Sequence, residues 1–226
     1  MVSYDSWAQK LCPSPRRYIQ QLAARLGCQR GIDLGCGMNS PLSPLRRIGL
    51  WCAGVDGSES NLQQARNRNL FDEYHCADIL EWLRQEVKSG AKWEVVIASH
   101  VIEHFEREKG EELLMLAEQV SPRLLYIETP NGFVEPGWQP DPLDALARHR
   151  SGWFPWDLEA RGYSVFGMGI RGLRGRSGIA SESGKLLRTL DRSLQWVNYR
   201  RPSGAATIAG IRYVDEAGSL RILNGR

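Results

Sequence analysis

From residue 30 onward the chain alternates short apolar runs with segments of helical periodicity, and few architectures accept that pattern. "RGIDLG", "CAGVDG", "EYHCAD", "WEVVIAS" and "RLLYIETP" have the length and composition of strands. Between them, "ESNLQQARNR", "ILEWLRQEVK" and "EKGEELLMLAEQV" repeat apolar residues at helical spacing. A parallel strand pair needs a crossover that returns over one face of the sheet, so such alternation implies strands covered on both sides. The expected fold is therefore α/β: a Rossmann-like, doubly wound, mostly parallel sheet with helices on both faces. "YSVFGMGI" (163–170) and "ATIAGIRYV" (206–214) bring it to seven strands. Residues 15–26 set Tyr18, Ile19, Leu22 and Leu26 on one helical stripe with Gly27 as a stop, so 1–30 reads as an N-terminal helical segment.

A length of 226 residues with 42% hydrophobic side chains suits one well-cored domain. Residues 171–203 do not fit a minimal sandwich. Leu186, Leu190, Leu194 and Val197 recur there at helical spacing, giving a helical insertion before the last strand. If strand 163–170 runs parallel to its neighbours, the insertion leaves the carboxyl edge of the sheet, where ligands of open α/β folds bind. A lid, a homodimer contact and a helix packed on a neighbour are the three readings.

Cys12, Cys28, Cys36, Cys52 and Cys76 form no C-x-x-C pair, and an odd count argues against a disulfide framework. "MVSYDSWAQK" has no apolar core behind a basic region, and about 18 consecutive apolar residues occur nowhere. The expectation is a cytoplasmic protein with reduced thiols and no membrane span. Residues 1–149 carry 16 Lys+Arg against 20 Asp+Glu, whereas 150–226 carry 13 against 6. The basic tail suits a phosphate, a nucleic acid or an acidic surface, or else is a solvated arginine-rich face.

"GIDLGCGMNSP" (31–41) holds half of a dinucleotide fingerprint, with Ser40 where a third small residue belongs. Glycines after the first strand let a ligand approach the backbone, and the helix expected next would offer its N-terminal N–H groups. Three acids narrow the choice. Asp33 lies inside the strand, where a carboxylate suits an amine better than a pyrophosphate. Asp56 ends "CAGVD", placed for ribose hydroxyls. Asp78 ends "YHCAD", placed for an exocyclic amine. An amine, a diol and an adenine edge satisfy such a pocket, and a diphosphate does not.

The four motifs "GIDLGCG", "GVDGSESNLQQAR", "CADI" and "VVIASHVIEHF" occur in the order and spacing of the class I S-adenosylmethionine-dependent methyltransferases, which the chain resembles over roughly residues 15–170. The resemblance implies S-adenosylmethionine as cofactor. It implies Asp33, Gly35 and Gly37 around the methionine moiety, Asp56 with Gly57 and Ser58 at the ribose, Asp78 with Ile79 at the adenine, and Ser99 near the reacting centre. The alternative for each lone acid is a helix cap or a turn.

Methyl transfer from a sulfonium requires an aligned acceptor and, for a hydroxyl or amine, removal of a proton. His100 and His104 share a face if "SHVIEH" is helical, with Glu103 beside them, and His149 follows the fifth strand. His75 reads as an ordinary strand residue. Imidazole suits a general base, which makes His104, His149 and His100 the catalytic candidates. Nitrogen and carboxylate donors at this spacing can also converge on a metal. The segment is similar to the E-x-x-E-H motif of small-RNA 2′-O-methyltransferases and ubiquinone-pathway O-methyltransferases, but His100 stands where they have an acid. A divalent metal is therefore not the expectation, though the donor set leaves it open. A purely structural role for "VIEH" is the third reading.

"TPNGF" followed by His149, Ser151, Gly152 and Trp153 resembles a group of bacterial and archaeal methyltransferases. Trp138, Trp153 and Trp156 form either an aromatic wall for a flat or sugar-like acceptor or ordinary core. The leading function is O-methylation of a small molecule, a sugar or secondary metabolite. RNA 2′-O-methylation, supported by the basic tail, a non-catalytic partner subunit and an NAD oxidoreductase are the alternatives.

Overall fold

The computed structural model describes residues 14–121, 123–134, 146, 148–171, 197–215, 218–221 and 223. Helix α1 (Pro15–Arg25) precedes the sheet. Then come β1 (Arg30–Leu34), β2 (Trp51–Asp56), α2 (Glu59–Asn67), β3 (Glu73–Cys76), α3 (Ile79–Ser89), β4 (Val95–Ser99), α4 (Arg107–Val120) and β5 (Leu124–Pro130). The chain continues with α5 (Pro155–Glu159), β6 (Ser164–Ile170), β7 (Ala205–Val214) and the two-residue β8 (Leu220–Arg221).

Strand order is β3-β2-β1-β4-β5-β7-β6, with β8 beside β7. β1 to β5 are mutually parallel, and β7 is antiparallel to both β5 and β6, so β6 runs with the parallel set. The expected seven strands are present, and β8 is an eighth that its two-residue length left unread. Growth of the sheet reverses between β1 and β4, and the crevice outside the carboxyl ends of that pair is where open α/β sheets bind ligands. Leu34 lies level with Val55 on one side and Ala98 on the other. The residues that follow each strand consequently arrive at one edge.

Period-two alternation divides the sheet's side chains between two apolar layers. Ile32, Leu34, Val96, Ala98 and Ile127 pack with α3 and α4, whereas Val95, Ile97, Leu124 and Tyr126 pack with α1 and α2. Full burial of each Leu or Ile contributes roughly 1.5–3 kcal/mol before entropy is counted, which is why the near-continuous apolar strands hold the centre. α3 begins where Asp78 accepts the Glu81 N–H at 3.0 Å and stops at Gly90, left-handed at φ +75°.

Two expectations require correction. No α-helix follows the glycine loop: Ser43–Ile48 form a 3₁₀ turn, with Pro44 near its start and Gly49 closing it, so the loop has no α-helix N-terminus to offer a ligand. "SHVIEH" is not α-helical either. His100 adopts φ +58° at the end of β4, and only Ile102–His104 make a 3₁₀ turn. Of the insertion at 171–203, residues 172–196 lie outside the described residues, as does Cys12; 197–200 are helical. The lid and dimer readings therefore fall there. Cys28, Cys36 and Cys52 are buried free thiols and Cys76 is exposed. Among the described residues no helix is long and apolar enough to cross a membrane.

Candidate active site

At the tips of β1 and β2 the glycine loop and two acids are bound to each other. Gly35 takes φ +64°, and a Cβ there would lie 2.6 Å from Val101 Cγ2, so only glycine fits both the turn and the contact. The Gly37 N–H donates to Asp56 Oδ2 at 2.8 Å, and Asp56 Oδ1 accepts the Ser58 N–H at 2.8 Å. Asp56 thereby ties the loop to the start of α2, where the Ser58 hydroxyl caps the helix. Asp33, between Ile32 and Leu34, takes the opposite face of β1 and is buried, accepting the Ser40 hydroxyl. Burial pushes Asp33 up to about 7 against the opposing effect of that hydrogen bond. A cationic group brought beside it would pull it back down. Asp78 is exposed and gives one oxygen to the α3 cap, while Ile79 is buried.

At the tips of β4 and β5 the arrangement is a chain of alternating charges. Arg16 of α1 donates from Nε to Glu128 Oε2 at 2.7 Å and from Nη2 to Glu128 Oε1 at 3.0 Å. Ser99 and Tyr126 add hydroxyl donors to Glu128 at 3.2 and 2.7 Å. Glu128 is buried, and burial alone would raise it, yet His100 and Arg16 hold it down to about 2. His100 comes next, with Nδ1 3.1 Å from Glu103 Oε1 and Nε2 3.4 Å from Glu128 Oε1. Desolvation works against the charged ring, but the two carboxylates outweigh it and push His100 up to about 9. With both nitrogens turned to carboxylates, the surroundings of His100 favour the charged ring, which has no lone pair to offer as a base or a ligand. Glu103 ends the chain, buried, its other oxygen accepting the Thr129 hydroxyl at 2.9 Å.

The connection from β5 to α5 carries the remaining groups. Arg150 and Ser151 N–H groups donate to Glu103 O at 2.7 and 3.2 Å, and the Ser151 hydroxyl donates to Ile102 O. His104 Nδ1 lies 3.1 Å from Arg148 O, and His149 Nδ1 lies 2.5 Å from Val134 O. A carbonyl can only accept, so each Nδ1 carries a proton, and in the neutral ring Nε2 has the lone pair. The two rings meet edge to face, 5.0 Å between centroids. One donor atom from each of Glu103, His104 and His149 lies within 4.8 Å of the others. Fixing Nδ1–H on a backbone carbonyl is how metal-binding histidines are oriented, so the trio suits a divalent ion as well as it suits proton transfer.

The His149–Trp153 motif is in part a docking device. Trp153 is fully buried, its Nε1 donating to Ser151 Oγ and its ring under the Arg107 guanidinium. Trp153 is thus core, not acceptor wall. Trp138 lies outside the described residues, and Trp156 is exposed and stacked on Phe154. His75 sits on β3 beside Glu73 and Trp82, as an ordinary strand residue would. In the basic tail, Arg161 pairs with Glu118 and Arg221 with Asp215, so those charges are spent within the fold.

Arg16, Thr129 and Glu128 were not singled out by the sequence. Glu128 had a readable signal, an acid inside the apolar run "LLYIE", the same signal that marks Asp33. Arg16 had none, since its partner lies 112 residues away.

A sequence profile for a family described as a methyltransferase domain matches residues 4–208. The ubiquinone biosynthesis O-methyltransferase of Bradyrhizobium diazoefficiens is 31% identical over 97 residues, covering 41% of this chain and 36% of that protein. The protein of the same name from Bradyrhizobium sp. is 29% identical over 110 residues, covering 42% of each. The chain thus matches well under half the length of these curated relatives. In structure it is similar to an S-adenosylmethionine-dependent methyltransferase from Archaeoglobus fulgidus, with 21% identity, TM-score 0.52, and coverage of 92% of this chain and 99% of that one. It is also similar to the methyltransferase domain of the bacterial CtHen1-CN, with 19% identity, TM-score 0.51, and coverage of 87% and 95%.

Proposed function

We propose that this chain, which belongs to the class I S-adenosylmethionine-dependent methyltransferases, moves the cofactor's methyl group to an oxygen of a small molecule. The observation that carries the acceptor chemistry is the pair His104 and His149, each with Nδ1–H held by a backbone carbonyl and Nε2 left to accept a proton. The O-methyltransferase relatives support oxygen as the methylated atom.

In this reading Asp33, Gly35 and Gly37 surround the methionine moiety, Asp56 with Gly57 and Ser58 the ribose, Asp78 and Ile79 the adenine, and Ser99 the approach to the sulfur. Asp33, raised by burial, gains a cationic partner when the cofactor's amine arrives. When bound, the cofactor would supply an electrophilic methyl group, and His104 or His149 would take the acceptor's hydroxyl proton on Nε2 as that oxygen is methylated. Calorimetry with S-adenosylhomocysteine, followed by transfer of a labelled methyl group to hydroxyl compounds, tests the reading. No heat at millimolar ligand would overturn it.

A second reading rests on the Glu103, His104 and His149 cluster. These three would hold a divalent ion, and His100, standing where the similar motif has an acid, would contribute a positive charge instead of a ligand. When bound, the ion would act as a Lewis acid toward the acceptor oxygen. Titration with Mn²⁺ or Zn²⁺ of the wild type and of Glu103→Gln separates the two readings, because proton transfer alone requires no saturable binding.

A further inference from the structure

Four of the exposed apolar side chains among the described residues lie on or beside the segment that carries His149. Phe133 is 56% exposed, Trp156 57% and Leu146 60%, and Val134 is exposed as well. All four belong to the connection between β5 and α5 or to the start of α5. Water-facing apolar area of this kind, continuous with a polar reaction centre, marks a ligand surface more often than a random one.

The described ends of the connection, 131–134 and 148–154, meet as a short ribbon. Gly132 N donates to Trp153 O at 2.6 Å, and a Cβ on Gly152 would meet the Phe133 backbone 2.5 Å away. Phe154 lies over Gly132, where an added Cβ would stand 3.2 Å from its ring, and Phe154 stacks on Trp156 with centroids 4.6 Å apart and planes 8° from parallel. Val134 gives its carbonyl to His149. On the other side Leu146 Cδ1 approaches to 3.3 Å of a Cβ placed on Gly57, beside the proposed ribose acid Asp56. One connection therefore links the cofactor loop, a base candidate and the apolar face.

Two guanidiniums beside the ribbon are engaged within the fold. Arg107 is held by Asp157 and Glu111, and Arg171 donates to Asn131 O. A phosphate at either of them would have to break these pairs. A flat apolar ring loses nothing there and gains stacking area.

Resting on the methyltransferase reading, we propose that the acceptor is a flat, apolar hydroxyl compound seated on Phe133, Val134 and the Phe154–Trp156 stack with its hydroxyl turned to His149. The test is calorimetric titration of 1-naphthol, and in parallel of methyl glucoside, into the full chain with saturating S-adenosylhomocysteine. Naphthol is expected to bind. Trp156→Ala and Phe133→Ser should each weaken it at least tenfold, while Met115→Ala, an exposed apolar side chain on α4, should not. S-adenosylhomocysteine affinity should stay the same in all three variants, and the glucoside should give no heat. Naphthol affinity indifferent to both Trp156→Ala and Phe133→Ser, or binding of the glucoside in preference to naphthol, overturns the proposal. A wild type that fails to bind S-adenosylhomocysteine defeats the methyltransferase reading instead, and the naphthol titration without cofactor still decides the apolar seat.

Discussion

At the tips of β1 and β2, Asp33 meets Ser40 seven residues on, and Gly37 meets Asp56 nineteen residues on. At the tips of β4 and β5, Arg16 meets Glu128 across 112 residues, Thr129 meets Glu103 across 26, and His104 meets Arg148 across 44. The first region is a local construction that β1, the loop and 3₁₀ turn after it, and β2 can form. The second exists only once five segments have packed. Under the proposed function, the cofactor pocket is written in short motifs, while the groups that meet the acceptor are assembled from distant parts.

The sharpest way to separate the regions is to remove a proton acceptor from the second and see whether the first notices. His104→Ala is expected to lower methyl transfer by about 10²–10⁴-fold, the usual contribution of a general base, with S-adenosylhomocysteine affinity unchanged. An unaltered rate would leave His104 a packing residue. Glu128→Ala strikes the second region's hub. Removing one partner from a buried ion pair typically costs about 3–5 kcal/mol, with the exposed half of Arg16 placing this one at the lower end. Urea unfolding reads that loss, and Glu128→Gln, which keeps the volume, should recover part of it.

In the first region, Asp56→Ala should weaken cofactor binding by roughly 1–3 kcal/mol through unpaired hydroxyl and N–H groups. Affinity equal to wild type would place the ribose elsewhere. The smallest effect is the pH response. His100 is raised from 6.5 to about 9, so the stability it contributes is complete below about 6.5 and is lost as pH rises through about 9. Glu128 is lowered from 4.5 to about 2, so its contribution is present above about 4.5 and is lost as pH falls through about 2. Because the His100 side chain is 43% exposed, solvent screens it and the alkaline loss should stay below about 1 kcal/mol. His100→Asn should flatten the slope between pH 7 and 10 in thermal unfolding, and a slope unchanged by it would assign the loss to another group.

Reading the strands was straightforward because each one is an apolar run that only a sheet covered on both faces can bury, as Val95–Ser99 and Leu124–Pro130 show. The 3₁₀ turn after the glycine loop was not legible. In "SPLRRI" Pro44 opens a short turn, and Gly49, left-handed at φ +97°, closes it before β2. The spacing of "HVIEH" would put His100 and His104 on one face only in an α-helix, which does not form there. The Glu128 carbonyl takes the His100 N–H at 2.7 Å, and that long-range bond accompanies the left-handed turn at the strand's end. Trp153 and Trp156 stand three apart in sequence and differ completely in role, one buried beneath Arg107 and the other facing water.

The sequence alone determined the sheet, its two apolar layers and the acids at the carboxyl edge, since periodicity and local spacing are set by neighbours in the chain. Tertiary packing decided the protonation and tautomers of the histidines. Whether a ring nitrogen holds a proton depends on which oxygen lies opposite it, and Glu128, Arg148 and Val134 reach those positions only when β5 and the connection beyond it fold against β4.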